Sequence, residues 1–393
     1  MPIMPATALG SSFIVAARRT ALGRPGGLHR SRRLESLTAP VVQAALDDAG
    51  VEARAVEEII LGNTTAGGNP ARVVGLAAGL EESVAALTVD RQCASGLDAI
   101  LLGIRAVALG EARIVVAGGA ESLSTAPWRV ARPKSLFQTP RFLSLEPEDG
   151  NGNEAPHSVA ASEELARQLG ISRDRQDSYA FKSHLKAEQA VGERRFQGEI
   201  VPLRLAPQET RDESSAISSI DDLAGLAPLV PPDGTHTSGN TSAHQEGAAI
   251  VVIVSGAVHA ELGAPPALRL VASSTQGVGS HEEARAPVVA LERLLQRSNG
   301  SFARRELRLV ETSETSAAQA LAICDAFELG DGELSPDGGA IARGHPLGAA
   351  SAVSVVRLFT RMARNRNGAW PRLGAVTQGA IGGLGVAALF EAV

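Results

Sequence analysis

The stretch Val89-Asp90-Arg91-Gln92-Cys93-Ala94-Ser95-Gly96-Leu97-Asp98-Ala99-Ile100 decides how the rest of the chain is read. Before it, Val84 to Val89 is short, apolar and β-branched at its end, the pattern of a buried strand. After it, Leu97, Ile100, Leu101, Ile104 and Val107 recur at helical spacing. Cys93 therefore falls at the turn into a helix. Free backbone N–H groups and the positive end of the helix dipole favour thiolate over thiol there. Such a cysteine is either a nucleophile or an inert core residue, and the remaining sequence has to choose between them.

Strands and helices alternate outward from this point. Ser12 to Ala17 reads as a strand, Leu34 to Ala49 as a helix stopped by Gly50, and Val56 to Leu61 as a strand. Pro70 fits the first turn of a helix running to Gly79. Ala112 to Ala117 is a further strand, ending in Gly118-Gly119-Ala120-Glu121-Ser122. The alternation predicts an α/β protein with a mainly parallel sheet covered on both faces. The rhythm breaks after Trp128. Residues 129 to 156 are rich in Pro, Gly, Asn and charge, a long surface excursion of the kind tied to function or assembly. Helices follow over Ser158–Gly170 and Arg173–Gly192, the second with Ser172 as N-cap. Then come a strand over Ile200–Leu205, the loop Thr237–Ser242, a helix-like stretch and the strand Ala249–Ser255.

The second half repeats the scheme. Strands are predicted at Leu268–Ser274, Leu307–Glu311, Gly374–Gln378 and Val386–Phe390. Helices are predicted at Ala286–Arg297, Ser316–Leu329 and Ala349–Arg364. Each half carries one special residue ahead of a helix, Cys93 in the first and His345 in the second. The pattern reads as an internal duplication whose two loops can converge.

Composition narrows the function. The chain has 393 residues, 44% hydrophobic and 20% charged, ordinary for a globular protein with a substantial core. Aromatics at 3% and a net charge of −6 without a basic block argue against a nucleic-acid partner. Two cysteines, Cys93 and Cys324, cannot build a disulfide framework. No apolar run is long enough to span a bilayer and no secretory leader is visible, so a cytoplasmic location without membrane attachment is expected. His236, His244 and Glu246 lie close in sequence but match no zinc spacing, and no metal is expected.

The chain resembles the thiolase family over nearly its whole length. The matching pieces are Arg91-Gln92-Cys93-Ala94-Ser95-Gly96-Leu97, Val116-Ala117-Gly118-Gly119-Ala120-Glu121-Ser122, Gly239-Asn240-Thr241-Ser242, Gly338-Gly339-Ala340-Ile341, Gly344-His345-Pro346-Leu347-Gly348 and Gly382-Gly383-Leu384-Gly385. They occur in the family's order and at near-family spacing. The resemblance implies the thiolase fold: two duplicated βαβαβαββ halves in five layers, α-β-α-β-α, with an inserted loop domain. The halves are expected at 1–119 with 249–267 and at 268–393, and the insertion at 120–248. It implies an acyltransferase that joins or splits 3-ketoacyl-CoA, with coenzyme A or acyl-CoA as substrate, no permanently bound cofactor, and a homodimer or tetramer. Cys93 would carry the acyl group as a thioester and His345 would help form its thiolate. His157, Ser242 and Ala243 would lie along CoA, and Gly383 belongs to the terminal glycine loop beside the reacting atoms.

Three family positions depart. The second cysteine of the family falls on Gly379, and the glycine two residues later on Ile381. The family's Asn-Glu-Ala-Phe segment is Ser313-Glu314-Thr315-Ser316, so the Asn that holds a catalytic water becomes Ser313. Acylation of Cys93 needs a nucleophile, a base and oxyanion donors, and most of these remain. Carbon–carbon bond formation also needs a base for an α-proton, which Gly379 cannot supply. Glu314 or His157 is a candidate replacement. A decarboxylative donor, transfer to a non-carbon acceptor, and a non-catalytic CoA-binding paralogue acting through a partner are the alternatives.

Overall fold

The computed structural model describes residues 10–143, 158–204, 207–213, 217, 219–297, 302–364 and 371–393. The first half contributes β1 (Ser12–Arg19), β2 (Glu58–Gly62), β3 (Ala85–Val89), β4 (Ile114–Glu121) and β5 (Gly247–Ser255). The second contributes β6 (Leu268–Gly277), β7 (Val310–Thr312), β8 (Leu373–Ala380) and β9 (Leu384–Ala392). Their order is β3-β2-β4-β5-β1-β6-β9-β8-β7. Counted outward from the β1–β6 junction, the two halves run in the same order. The place of β3 is taken in the second half by a single parallel bridge, Val310 to Leu334. A β-bulge recurs at matching points, between Ile14 and Ala16 and between Leu270 and Ala272. The duplication therefore extends to strand order and local irregularity.

The sheet is mixed, which corrects the expectation of a mainly parallel one. Parallel pairing is confined to β2–β3, β2–β4 and β7–β8. The last strand of each half returns beside its predecessor, and the short turn from β8 to β9 permits only antiparallel pairing.

Among the described residues, eight longer helices complete the layers: α1 (Leu34–Ala49), α2 (Pro70–Ala77), α3 (Ser95–Leu109), α4 (Ser158–Leu169), α5 (Arg173–Gly192), α6 (Ala286–Arg297), α7 (Ala317–Phe327) and α8 (Ala350–Phe359). Leu97 and Ile100 of α3 share a core with Val353 and Val356 of α8, Val251 of β5 and Val376 of β8, so α3 and α8 lie between the two halves. Leu37 and Val41 of α1 cover the outer face of the first half with Val74 of α2. Leu291 of α6 and Ile323 of α7 cover that of the second. The result is five layers in the expected sequence.

Local signals held where the chain supplies its own stop. Gly50 closes α1 in the left-handed conformation at φ 65°. The Ser172 hydroxyl accepts from Arg175 N at 3.2 Å as N-cap of α5. Three expectations fail. Of Val84–Val89 only Val84 is buried: β3 is the last strand of the sheet, and Leu87 is exposed. Of the expected strand Ile200–Leu205, the described residues 200–204 form one bridge, Ile200 to Arg19, and Pro202 has no N–H to extend it. Residues 241–246 form bridges, not a helix. Among the described residues, one helical stretch, Gln92–Leu109, is long and apolar enough to cross a membrane, and it is packed inside the fold.

Candidate active site

The starts of α3 and α8 touch. Leu97 N donates to Ser351 Oγ at 2.9 Å. A Cβ on Gly96 would stand 2.8 Å from Ala352 Cβ and 2.9 Å from Gly348 O, so only glycine allows this approach. Each helix is preceded by its special residue, and each approach is strained: Gln92 has φ 49° and Leu347 φ 36°. The Ser95 hydroxyl holds the first turn, accepting from Arg91 N at 2.7 Å and donating to Gln92 O at 2.6 Å. The second is held by 243–245. His345 N donates to Ala243 O at 2.8 Å, and Gln245 N donates to His345 O at 3.0 Å.

Cys93 and His345, one from each half, line a single cavity of about 470 Å³. Its wall includes Ser242, His244, Glu283, Gly379 and Ile381. The backbone N–H groups of Ile381 and of Cys93 itself favour the charged form of the sulfur. Burial nevertheless pushes the thiol up to about 12, and the Glu283 carboxylate adds to the rise. The expectation of a resting thiolate is thereby corrected: removal from water outweighs the dipole and the amides. Burial drives the His345 imidazole down to about 3, with His244 adding to the fall. Neither of its ring nitrogens has a protein hydrogen-bond partner. The resting pair is a neutral thiol beside a neutral imidazole able to accept a proton.

The other sequence-predicted residues divide. Gly379 and Ile381 reach the cavity, and Ile381 contributes through its amide. Gly383 does not line it. It turns β8 into β9 at φ 78° and accepts from Val278 N at 2.7 Å. Ser313 lies one layer behind the wall: its Oγ donates to Gln378 Oε1 at 2.5 Å, and Gln378 Nε2 donates to Gly379 O at 2.6 Å. Glu314, expected as a replacement base, faces away. Its buried carboxylate accepts from Tyr179 Oη at 2.6 Å and Ser183 Oγ at 2.8 Å, while its neighbours Thr315 and Ser316 line the cavity. Ser242 is on the wall, its hydroxyl donating to Thr315 O at 3.3 Å. Ala243 is exposed and off the wall, contributing the carbonyl that holds His345. His157 lies outside the described residues. Cys324 packs in the outer core of the second half. His236 meets Glu163 and Glu246 meets Ser124, so His236, His244 and Glu246 do not converge as metal ligands. Among the described residues no cluster could hold a metal ion.

Sequence reasoning missed Glu283 and Gln319. Glu283 sits in the tight turn Ser280–Arg285, and its Oε2 accepts from Gly382 N at 3.0 Å. In sequence the pair Glu282-Glu283 looks like solvated surface, and nothing local marks one of them as inward. A Cβ on Gly379 would stand 3.1 Å from Gln319 Nε2, so that side chain borders Gly379 on the cavity wall.

Residues 12–257 match the family model for the thiolase N-terminal domain, and residues 264–392 match that for the thiolase C-terminal domain. The chain is 35% identical over 393 aligned positions to an acetyl-CoA acetyltransferase of Cupriavidus necator, covering 96% of this chain and 98% of that one. It superposes on the crystal structure of a Bacillus anthracis acetyl-CoA acetyltransferase with a TM-score of 0.90 at 30% identity, over 99% of this chain and 100% of that one. Human mitochondrial 3-ketoacyl-CoA thiolase aligns with a TM-score of 0.88 at 28% identity, over 98% of this chain and 100% of that one.

Proposed function

Because this chain belongs to the thiolase family, we propose that it is an acyl-CoA C-acyltransferase carrying its acyl group as a thioester on Cys93. The observation that carries the reading is the shared cavity: a sulfur from the first half and an unpartnered, unprotonated imidazole from the second. In the first half-reaction Cys93 Sγ attacks the acyl-CoA carbonyl carbon as its proton passes to His345. The Ile381 and Cys93 N–H groups supply donors for the oxyanion. The C–S bond to CoA then breaks, and His345 returns the proton to the departing sulfur. Coupling attack to proton transfer suits a thiol held well above neutral, since no free thiolate need accumulate. CoA enters and leaves as substrate, and no permanently held cofactor takes part.

The division of the chain at 119/120, 248/249 and 267/268 goes with this reading. Ser158, Ser162, Leu229 and Ser242 of the 120–248 segment form one wall of the cavity, so the insertion would enclose the thioester arm of CoA. Ser242, and with it His157 and Ala243, is assigned to that arm. The active form is a homodimer or tetramer in the cytoplasm. Trp128, Leu136 and Phe137, all exposed on the chain that leaves β4, support assembly.

The test is intact-protein mass spectrometry after incubation with acetyl-CoA and longer acyl-CoA donors. An acyl mass on the wild type that is absent from Cys93→Ala supports the assignment. Absence of any acyl adduct across short, medium and malonyl donors would overturn it and leave the non-catalytic, CoA-binding alternative.

A further inference from the structure

Gly379 leaves the cavity without the group that would handle the second proton transfer, and Glu314 faces elsewhere. Among the described residues lining the cavity, Glu283 is the sole carboxylate. It is buried, and its place relative to the sulfur is set by consecutive amides of the β8–β9 turn. The Ile381 amide acts on Cys93 Sγ, and Gly382 N donates to Glu283 Oε2 at 3.0 Å. Its main chain also flanks the vacated position: a Cβ on Gly379 would stand 3.6 Å from Glu283 O. A buried carboxylate that shares the enclosed space with the sulfur, and whose main chain borders Gly379, is placed as a general base for a substrate held there.

We propose that Glu283 is the base that removes the α-proton of the second acyl-CoA, so that this chain forms carbon–carbon bonds with a carboxylate where the family pattern has a thiol. The assignment rests on the acyl-Cys93 reading. The Cα–H bond breaks, the proton passes to the Glu283 carboxylate, and the electron pair stays on Cα. Cα attacks the carbonyl carbon of acyl-Cys93. The new C–C bond forms, the C–Sγ bond breaks, and its electron pair goes to Sγ beneath the Ile381 N–H. The proton on Glu283 passes to Sγ, which restores the neutral thiol. No oxidant, reductant or metal is needed. The interaction of Glu283 with the thiol fits this last step, because a nearby carboxylate favours Sγ in its protonated form.

Two readouts keep this assignment apart from the one it rests on: acyl mass on Cys93, and exchange of the acetyl-CoA methyl hydrogens into D2O followed by NMR. Wild type is expected to show both. Glu283→Gln is expected to carry the acyl mass but to exchange at least ~100-fold more slowly, the scale of a lost general base. An acylated E283Q that exchanges within about threefold of wild type overturns the proposal, as does an acylated wild type that does not exchange at all. If E283Q takes up no acyl group, Glu283→Asp decides. Exchange at a tenth of wild type or more supports the base role. Exchange absent from an acylated E283D, or loss of acylation in both variants, overturns it. A wild type that is never acylated defeats the Cys93 reading instead.

Discussion

At the scale of the residue, the site works by withholding water from two groups whose ordinary chemistry would otherwise make an ion pair. Cys93 rises to about 12 and His345 falls to about 3 for the same reason, burial of the charged form. A free imidazole would be half protonated near pH 6.5, and acylation would lose its base there. With His345 unprotonated down to about 3, the acylation rate at saturating acyl-CoA is expected to stay flat as pH falls from 8 to 5. A rapid-quench pH profile checks this, and a midpoint between pH 6 and 7 would contradict it. The same depression carries a stability consequence. The unfolded chain takes up a proton near pH 6.5 that the folded chain refuses until about pH 3. The contribution of a neutral His345 is therefore complete above 6.5 and is lost as pH falls through that window. His345→Gln should reduce the dependence of the urea midpoint on pH over this range.

At the scale of the element, the site exists because two helices begin against one another. The contact rests on the absence of a side chain at Gly96, on the bond from Leu97 N to Ser351 Oγ, and on strained backbone at Gln92 and Leu347. Gly96→Ala puts a methyl group 2.8 Å from Ala352 Cβ and should drive the helix starts apart. The expected cost is about 1–3 kcal/mol in denaturant unfolding. Acylation of Cys93 should suffer by more than ten-fold, since the displacement falls on the reacting pair. A variant that loses stability but acylates at the wild-type rate would show that the junction does not align the pair.

At the scale of the whole molecule, a buried ionic network ties the halves and the intervening segment together. Glu199 accepts from Arg19 Nε of β1 at 2.8 Å and pairs with Arg357 of α8. Asp337 takes Arg195 Nη1 at 2.9 Å and also pairs with Arg357 and Arg361. Arg357→Leu leaves two buried carboxylates short of a cation, and the expected loss is ~3–5 kcal/mol. Urea denaturation checks this, and a loss below ~1 kcal/mol would mean the network rearranges around the gap. Assembly belongs to the same scale. Leu136 and Phe137 are 98% and 96% exposed in the single chain, more than isolated surface apolar residues require. Leu136→Ser with Phe137→Ser should lower the mass measured by light scattering, and an unchanged oligomer would remove this loop from the interface.

Legibility followed the range of the interactions. The α1 span with its Gly50 stop, the Ser172 cap, the full extent of α5 and the duplicated rhythm were readable because caps, periodicity and turn residues act within a few positions. The Cys93 and His345 loops were readable for the same reason, as each advertises itself ahead of a helix. Pairing sense was not, because neighbours in a sheet are chosen by contacts across hundreds of residues; the apolar run Val84–Val89 could not announce that it would form an edge. Nor could Ser313-Glu314 reveal that one side chain backs the wall and the other turns away, or Glu282-Glu283 that one acid lines the cavity. Residue pattern alone shows which groups could carry acyl chemistry and that the chain is doubled. Which of them share a cavity, and in what protonation state, emerges on folding, because side-chain direction and loss of water are properties of the packed whole.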